Sequence, residues 1–280
     1  MQVGDYQVDF VSDGAFALDG GAMFGVVPRP LWARTNPPDE RNRIDMGLNC
    51  MLLRGHGRIV LVDSGIGDKF PAKEADIYRV DHSHATLIDS LLRLGVHADQ
   101  VTDVVITHLH FDHAGGLTHR RDGDLWLTFP HARHYLQREH YQWATHPTVK
   151  DRASFLPENY EPVREAGLLQ LLDGPEAVLP AMELVLLHGH TRALQGLLVQ
   201  GDPCLFYPSD LVPTSSHLRL PFSMGYDNFP LTTIEEKQTW LPRAAREGWS
   251  VVFEHDPRLI WSRIEERNGD FRVRPAEVAA

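Results

Sequence analysis

The sequence predicts an α/β fold. Strand-length apolar runs, several rich in β-branched residues, alternate with helical patterns along the whole chain. Strand after strand ends in a loop that carries a histidine or an aspartate, at positions 63, 108–113, 190, 210 and 255. No internal repeat, low-complexity tract or linker interrupts the 280 residues, so one domain over 1–280 is expected.

The elements follow in order. Residues 6–11 and 48–53 read as strands, and 58–62 (Arg-Ile-Val-Leu-Val) as a strongly β-branched one that stops at the turn Asp63-Ser64-Gly65. Residues 85–94 place Leu87, Ile88, Leu91 and Leu92 at helical spacing, with Gly95 as the stop. Residues 101–106 form the next strand and deliver His108 at its end. A strand over 183–187 leads to His188-Gly189-His190. Residues 196–199 and 205–207 suit an antiparallel pair ending at Ser209-Asp210. A helix over 234–246 and a strand over 250–253, ending at Glu254-His255-Asp256, complete the pattern. Residues 1–45 are expected to give an N-terminal strand and then an apolar lid or dimer arm built on Phe24, Val26, Val27, Leu31 and Trp32. Phe222, Met224, Tyr226 and Phe229 are candidates for lining the same mouth.

Composition narrows the function. A net charge of −11 argues against a general nucleic-acid surface, which needs a basic face. No stretch approaches the roughly 20 apolar residues that cross a bilayer, and the N-terminus shows neither a basic region nor an apolar signal core, so a cytoplasmic protein is expected. Cys50 and Cys204 are too few for a disulfide framework and sit in apolar surroundings, which suits buried free thiols. The 16 histidines invite a search for metal.

The segment His108-Leu109-His110-Phe111-Asp112-His113 puts four potential ligands into six residues. Imidazole and carboxylate are ligands that zinc, iron, manganese and cobalt accept. His108 and His110, two residues apart in an extended segment, can face one cation. Asp112 and His113, at the following bend, can face a second. His190, in a Gly-His-Thr turn, suits the first site and His255 the second. Asp210 carries a carboxylate, the side chain suited to bridging both. The expected sets are His108, His110, His190 and Asp210 against Asp112, His113, His255 and Asp210, holding two divalent ions, zinc first among them. The bland readings are a solvated polar loop for 108–113, a turn former for Asp63, a helix cap for Asp210, and surface or hydrogen-bonded roles for the scattered histidines, including His134 and His140. Glu254 and Asp256 read as ordinary charged neighbours of His255, with orienting the ligand ring as the alternative.

His-x-His-x-Asp-His, then Gly-His-Thr, then Ser-Asp, then Glu-His-Asp, in this order, resembles the metallo-β-lactamase superfamily. The resemblance runs from Asp63 to His255 and implies a four-layer αβ/βα sandwich with metals at one edge of two sheets. It also implies that Asp63 supports the site from behind the ligands. Histidine at 110 separates the chain from the redox flavodiiron branch, which has glutamate there, and no cysteine takes a ligand position as in the zinc β-lactamases proper. The segments 19–28 and 208–214 look like the group that holds the N-acyl homoserine lactonases and methyl parathion hydrolase. Many such lactonases carry a tyrosine three residues after the bridging aspartate, where it polarises the ester carbonyl. Here that position is Pro213, and His217, or failing it Tyr226, is the expected substitute.

The implied activity is hydrolysis of a lactone or related ester by a metal-bridging hydroxide, which exists near neutral pH because the cation lowers the pKa of water to about 7. Asp112 or Asp210 would pass a proton to the leaving group. The alternatives are phosphotriester or phosphodiester hydrolysis on the same site, and a metal-binding protein without catalysis. The expected partner is a small lactone or ester, with a homodimer possible and neither nucleic acid nor membrane involved.

Overall fold

The computed structural model describes residues 1–175 and 177–274. In chain order its first-half strands are β1 (Gln2–Val3), β2 (Tyr6–Asp19), β3 (Arg43–Gly55), β4 (Arg58–Val62), β5 (Asp103–Val105), β6 (Thr118–Arg121), β7 (Asp124–Leu127), β8 (Arg133–Gln137) and β9 (Leu169–Leu172). Those of the second half are β10 (Met182–Leu187), β11 (Leu194–Val199), β12 (Leu205–Tyr207), β13 (Ser250–Val252), β14 (Trp261–Arg267) and β15 (Asp270–Val273). Among the described residues one sheet runs β1-β2-β3-β4-β5-β8-β9 and the other β10 to β15 in sequence order, with β6 and β7 as a separate hairpin.

Strand alternation sorts the apolar side chains into layers. Val60 and Val62 of β4 and Val105 of β5 face the second sheet and pack with Leu184, Leu197, Leu205 and Val252. Leu61 and Val104 face the other way, onto Leu87 and Leu91 of the helix Leu87–Arg93 and Tyr160 and Val163 of the helix Pro157–Glu165. In the second sheet Leu198, Phe206 and Val251 turn outward and pack with Leu241 and Ala244 of the helix Pro230–Glu247. The order is helices, sheet, sheet, helix: the four-layer αβ/βα sandwich expected from the sequence.

Two parallel pairs aim the loops. β4 pairs in parallel with β5, and β12 with β13. Parallel neighbours bring their C-terminal ends to one edge. That edge collects Asp63 after β4, the His108 loop after β5, Asp210 after β12 and His255 after β13. His190 arrives in the turn between antiparallel β10 and β11.

The sequence understates several elements. β2 reaches Asp19 and β3 starts at Arg43, because each strand has a partner over its whole length, with an irregularity between Ser12 and Ala15. The helix from Pro230 begins four residues before its apolar periodicity, where proline suits the first turn. The early aromatic segment splits. Phe24 and Trp32 stack at 5.4 Å inside a core cluster with Phe16, Ile44 and Met46, so they are neither lid nor arm. Val26 (90% exposed) and Leu31 (46%) stay in solvent. Cys50 is a buried free thiol and Cys204 a half-buried one. No helix of the described residues is long and apolar enough to cross a membrane.

The turn after β4 and the loop after β5 touch with no room to spare. A Cβ on Gly115 would meet Ile66 O at 2.0 Å, and one on Gly116 would meet Ser64 O at 2.1 Å. Ser64 N donates to His113 O at 2.8 Å, and Lys69 Nζ donates to Gly115 O and Thr118 O. Gly115 has φ −61°, open to any residue, so space alone requires glycine there. Gly95 is the opposite case, with φ +72° and nothing within 4 Å of a Cβ.

Gly115→Ala should therefore cost about 1–3 kcal/mol through overpacking and lower the metal content, whereas Gly95→Ala should cost about 1 kcal/mol through backbone strain alone and leave metal content intact. Urea unfolding with elemental analysis checks both, and matched losses of metal would refute the steric account. A second expectation concerns His134 in β8. Burial holds its ring neutral, with the pKa pulled down to about 4, while the unfolded chain takes up that proton near 6.5. Between those values acid favours the unfolded chain, so stability falls as pH drops from 6.5 toward 4. From pH 7 to pH 5, His134→Gln should lose about 2 kcal/mol less stability than wild type, read by urea titration at each pH.

Candidate metal centre

Four of the five site histidines give one nitrogen to the protein and turn the other toward their fellows; His110 turns Nδ1 to them, and its Nε2 is buried without a partner among the described residues. Asp63 sits at φ +58° at the end of β4, fully buried. Its carboxylate accepts Thr107 N and Thr107 Oγ1, both at 2.7 Å, and lies 3.1 Å from His113 Nδ1. With its hydroxyl hydrogen given to Asp63, Thr107 Oγ1 accepts from His108 Nδ1 at 3.0 Å. His190 Nδ1 donates to Asp227 Oδ1 at 2.9 Å, and His255 Nδ1 to Gly47 O at 2.9 Å. In these four rings the hydrogen is held at Nδ1, so Nε2 presents a lone pair.

Those lone pairs converge. His108 Nε2 and His190 Nε2 each stand 3.1 Å from His110 Nδ1, and His190 Nε2 is 3.1 Å from Asp210 Oδ2. His113 Nε2 and His255 Nε2 stand 3.1 Å apart, with Asp210 at 3.6 and 3.4 Å and Asp112 at 3.9 and 3.7 Å from them. Two groups result, His108/His110/His190/Asp210 and Asp112/His113/His255, with the ligand atoms of each group within 4.8 Å of one another. Asp210 belongs to the first and lies against both nitrogens of the second. Asp210 Oδ1 is buried without a hydrogen-bond partner among the described residues.

Acceptors cannot hydrogen-bond to one another, and buried polar atoms rarely go unpaired. The donor set therefore fits two divalent cations of the nitrogen- and oxygen-loving kind. Electrostatics agree. Burial, then the neighbouring histidines, push the His108 and His110 pKa values well below the ordinary range. Burial opposes charge on His113 as well, but Glu254, Asp210 and Asp112 outweigh it and raise its pKa. Burial likewise opposes charge on Asp210, and His190, His113 and His255 outweigh it, lowering the pKa. The cluster calls for positive charge among its nitrogens, which a proton or a cation can supply; binding the cation releases the proton.

Several supporting residues were not legible in advance. Asp227, which orients His190, also accepts Met224 N at 3.0 Å. His140 Nδ1 donates to Arg192 O at 2.7 Å and its Nε2 accepts Leu109 N at 2.8 Å, pinning the ligand loop. Glu254, read from the sequence as an ordinary neighbour, is buried with Oε2 3.2 Å from His113 Nδ1, so it shares that ring with Asp63. Asp256 accepts Ser215 N and Oγ and the backbone of Arg258 and Leu259, and so shapes the loop.

His217 needs correction as a catalytic candidate. It is fully buried, Nε2 donates to Met23 O at 2.8 Å, Nδ1 accepts Thr214 Oγ1 at 2.7 Å, and the ring stacks on Phe24 at 4.7 Å. Neither nitrogen is free, and the ring does not line the cleft. Its neighbourhood in sequence misled, because the short turn Ser215–Leu218 carries it inward. Tyr226 does line the cleft.

That cleft, about 270 Å³, opens over the two groups. His110, Asp112, His190, Asp210 and His255 reach its floor, and Leu18, Met23, Met46, Phe111 and Met224 give it apolar walls. Tyr78 and Tyr226 also face it, and burial raises both phenol pKa values, so both remain neutral donors. Phe222 packs in the core instead, and Phe229 lies under Arg192, 4.9 Å from the guanidinium carbon.

A family model described as the metallo-beta-lactamase superfamily matches residues 44–232. The chain belongs to that superfamily. It is a hydrolase of the superfamily, and its clusters are metal-binding, with a dinuclear arrangement of ligands. Among curated relatives, an N-acyl homoserine lactonase from a Bacillus species is 25% identical over 228 residues, 76% of this chain and 82% of that protein. The lactonase AiiA of Bacillus thuringiensis subsp. kurstaki is 26% identical over 221 residues, 74% and 80%. Among solved structures, a probable metal-dependent hydrolase from Staphylococcus aureus superposes with a TM-score of 0.88 at 24% identity, covering 99% of this chain and 100% of that one. AidC, a dizinc quorum-quenching lactonase solved with a product, gives 0.79 at 18% identity, covering 100% and 97%. At these identities the structures show the fold.

If Asp227 acts by holding the His190 tautomer, Asp227→Asn should weaken metal binding about 10–100-fold while the fold survives. Competition with a chelator, read by elemental analysis and circular dichroism, checks this; unchanged affinity would leave Asp227 with no part in the site.

Proposed function

We propose that the protein opens lactones, of the N-acyl homoserine lactone kind, with two zinc ions held by His108, His110, His190 and Asp210 on one side and Asp112, His113, His255 and Asp210 on the other. The observation that carries this reading is the cleft: a two-cluster floor of ligands beneath apolar walls, with neutral phenols beside it. Such walls suit an uncharged acyl substrate. The lactonase names of the relatives support the same substrate class.

When bound, the zinc pair supplies hydroxide at neutral pH and polarises the ester oxygen. The chain's own groups do the rest. Asp63, Thr107, Asp227, Glu254 and Gly47 O hold the ligand rings in one tautomer. The apolar walls exclude water from the acyl chain. Tyr226, from a loop other than the one that bears Pro213, donates its phenol hydrogen to the carbonyl oxygen as that oxygen gains charge. Its hydroxyl has no protein partner among the described residues, so the hydrogen is available. An Asp112 carboxylate oxygen takes up the proton of the attacking water and returns it to the alkoxide that leaves when the ring opens.

Zinc-loaded protein should hydrolyse an acyl homoserine lactone far faster than an aryl phosphotriester. Tyr226→Phe should lower kcat about 100–1000-fold on the lactone, with both metals retained. Parallel steady-state assays with elemental analysis test this: turnover of the phosphotriester alone would overturn the substrate class, and full kcat in Tyr226→Phe would remove the phenol from catalysis.

A further inference from the structure

The cleft carries one lysine. Among the described residues, Lys150 is the only lysine or arginine that lines it. Its Nζ donates to Tyr226 O and Asp227 O, each at 2.9 Å, and makes no ion pair among the described residues. An ammonium has three hydrogens, so one is left over. Two other lysines use the same double-carbonyl clamp. Lys69 holds Gly115 O and Thr118 O, and Lys237 holds His217 O and Phe222 O at 2.7 and 2.6 Å. Both are buried, at 8% and 1% exposure, and serve as braces. Lys150 differs in being exposed at the cleft.

Its position is fixed from both sides. Asp151 Oδ1 accepts Thr148 Oγ1 at 2.7 Å, and Oδ2 accepts Trp143 Nε1 and Asn228 Nδ2, each at 2.8 Å. Asp151 thereby spends its oxygens on the loop and leaves Lys150 unpaired. It also ties residues 148–151 to residues 226–228, between which the lysine sits. A donor held in place by the protein loses little freedom when a ligand acceptor arrives. The apolar walls strip water from any carbonyl that lies along them, and that carbonyl needs a replacement donor. Lys150 is the cationic donor the cleft offers.

We propose that Lys150 is a specificity-determining residue whose third ammonium hydrogen receives the amide carbonyl oxygen of an N-acylated lactone. The inference rests on the lactonase reading: the ring ester meets the floor, and the amide meets the lysine on the wall. A lactone without an amide would use the same floor and walls but leave the lysine unsatisfied.

The test uses zinc-loaded full-length protein and two lactones of matched length, an N-octanoyl homoserine lactone and an alkyl γ-lactone with no amide. Wild type should show a KM about tenfold lower for the amide substrate, the scale of one hydrogen bond to a charged group. Lys150→Met should abolish that preference, bringing the tenfold ratio of the two KM values to about one, on top of whatever common factor the loss of its two carbonyl contacts imposes on both substrates. A bracing role alone would damage both substrates by the same factor, and that result would overturn the proposal. Equal KM values in wild type would overturn it without any variant, should Lys150→Met not fold. If wild type hydrolyses neither lactone, the lactonase reading itself has failed and this proposal fails with it; turnover of both with no amide preference defeats this proposal alone.

Discussion

Lone pairs that face one another in a space without water are the constraint from which this structure follows. Five imidazoles and two aspartates bring unshared electron pairs to within about 3–4 Å of each other. The ring hydrogens of His108, His113, His190 and His255 are committed elsewhere, so relief comes from the one hydrogen of His110, from an added proton or from a cation. Two cations relieve both ligand groups at once. The protein offsets the repulsion with buried carboxylates and close backbone contacts behind the ligands, which keep the rings from turning away.

Two sheets must then be held in register at the edge where the loops meet. The His255 loop is fastened to β3 of the opposite sheet: Gly47 N donates to His255 O, Asn49 N to Glu254 O, and Asn49 Nδ2 to the carbonyls of Glu254 and Asp256. Gln195 of β11 reaches the other way, donating to Ile106 O and Tyr135 O at 2.8 and 2.9 Å while its own N–H meets Thr107 O. Ser209 Oγ joins Thr107 Oγ1 at 3.0 Å. These polar links sit at the end of an otherwise apolar interface between the sheets. An unpaired amide there would cost about 1–3 kcal/mol, so they define one alignment of the sheets, and with it the spacing of the two ligand groups.

What the sequence revealed tracks how local each interaction is. The ligands at 108–113 are six consecutive residues, and their chemistry can be read without a fold. Strand β4 carries its own pattern and begins and ends where that pattern does. Ligand chemistry and then the resemblance joined His190, Asp210 and His255 to that segment, and the fold brings them against it. Asp227 lies 37 residues from His190, and the contact of Glu254 with His113 spans about half the chain; no period or motif marks such pairs. His217 shows the reverse error. It stands four residues from Pro213, but proximity along the chain says nothing about which way a turn points, and here Lys237 and Met23 O hold the turn inward. Phe24 and Trp32 looked like a lid because glycine and proline interrupt them, yet they fill the core beneath β2 and β3.

The loop 224–228 joins two tasks that no motif or spacing connects. Asp227 fixes a ligand ring, and the adjacent Tyr226 presents a phenol to the cleft. Lys150 grips the carbonyls of both, so the orientation of His190 and the placement of the phenol share one clamp. A loop anchored this way cannot shift to suit a new substrate without disturbing the metal ligand behind it. In the conventional arrangement of the resembling lactonases, the phenol lies three residues from the bridging aspartate and rides on that ligand's own turn. Here Pro213 occupies that place; on the lactonase reading proposed above, Tyr226 takes over the donor's part, which would put acyl-chain recognition and carbonyl activation on the same short stretch of backbone. On that reading, selectivity for the acyl group and grip on the first cation would be coupled quantities, because one displacement of residues 226–227 alters both the phenol and the carboxylate that orients His190.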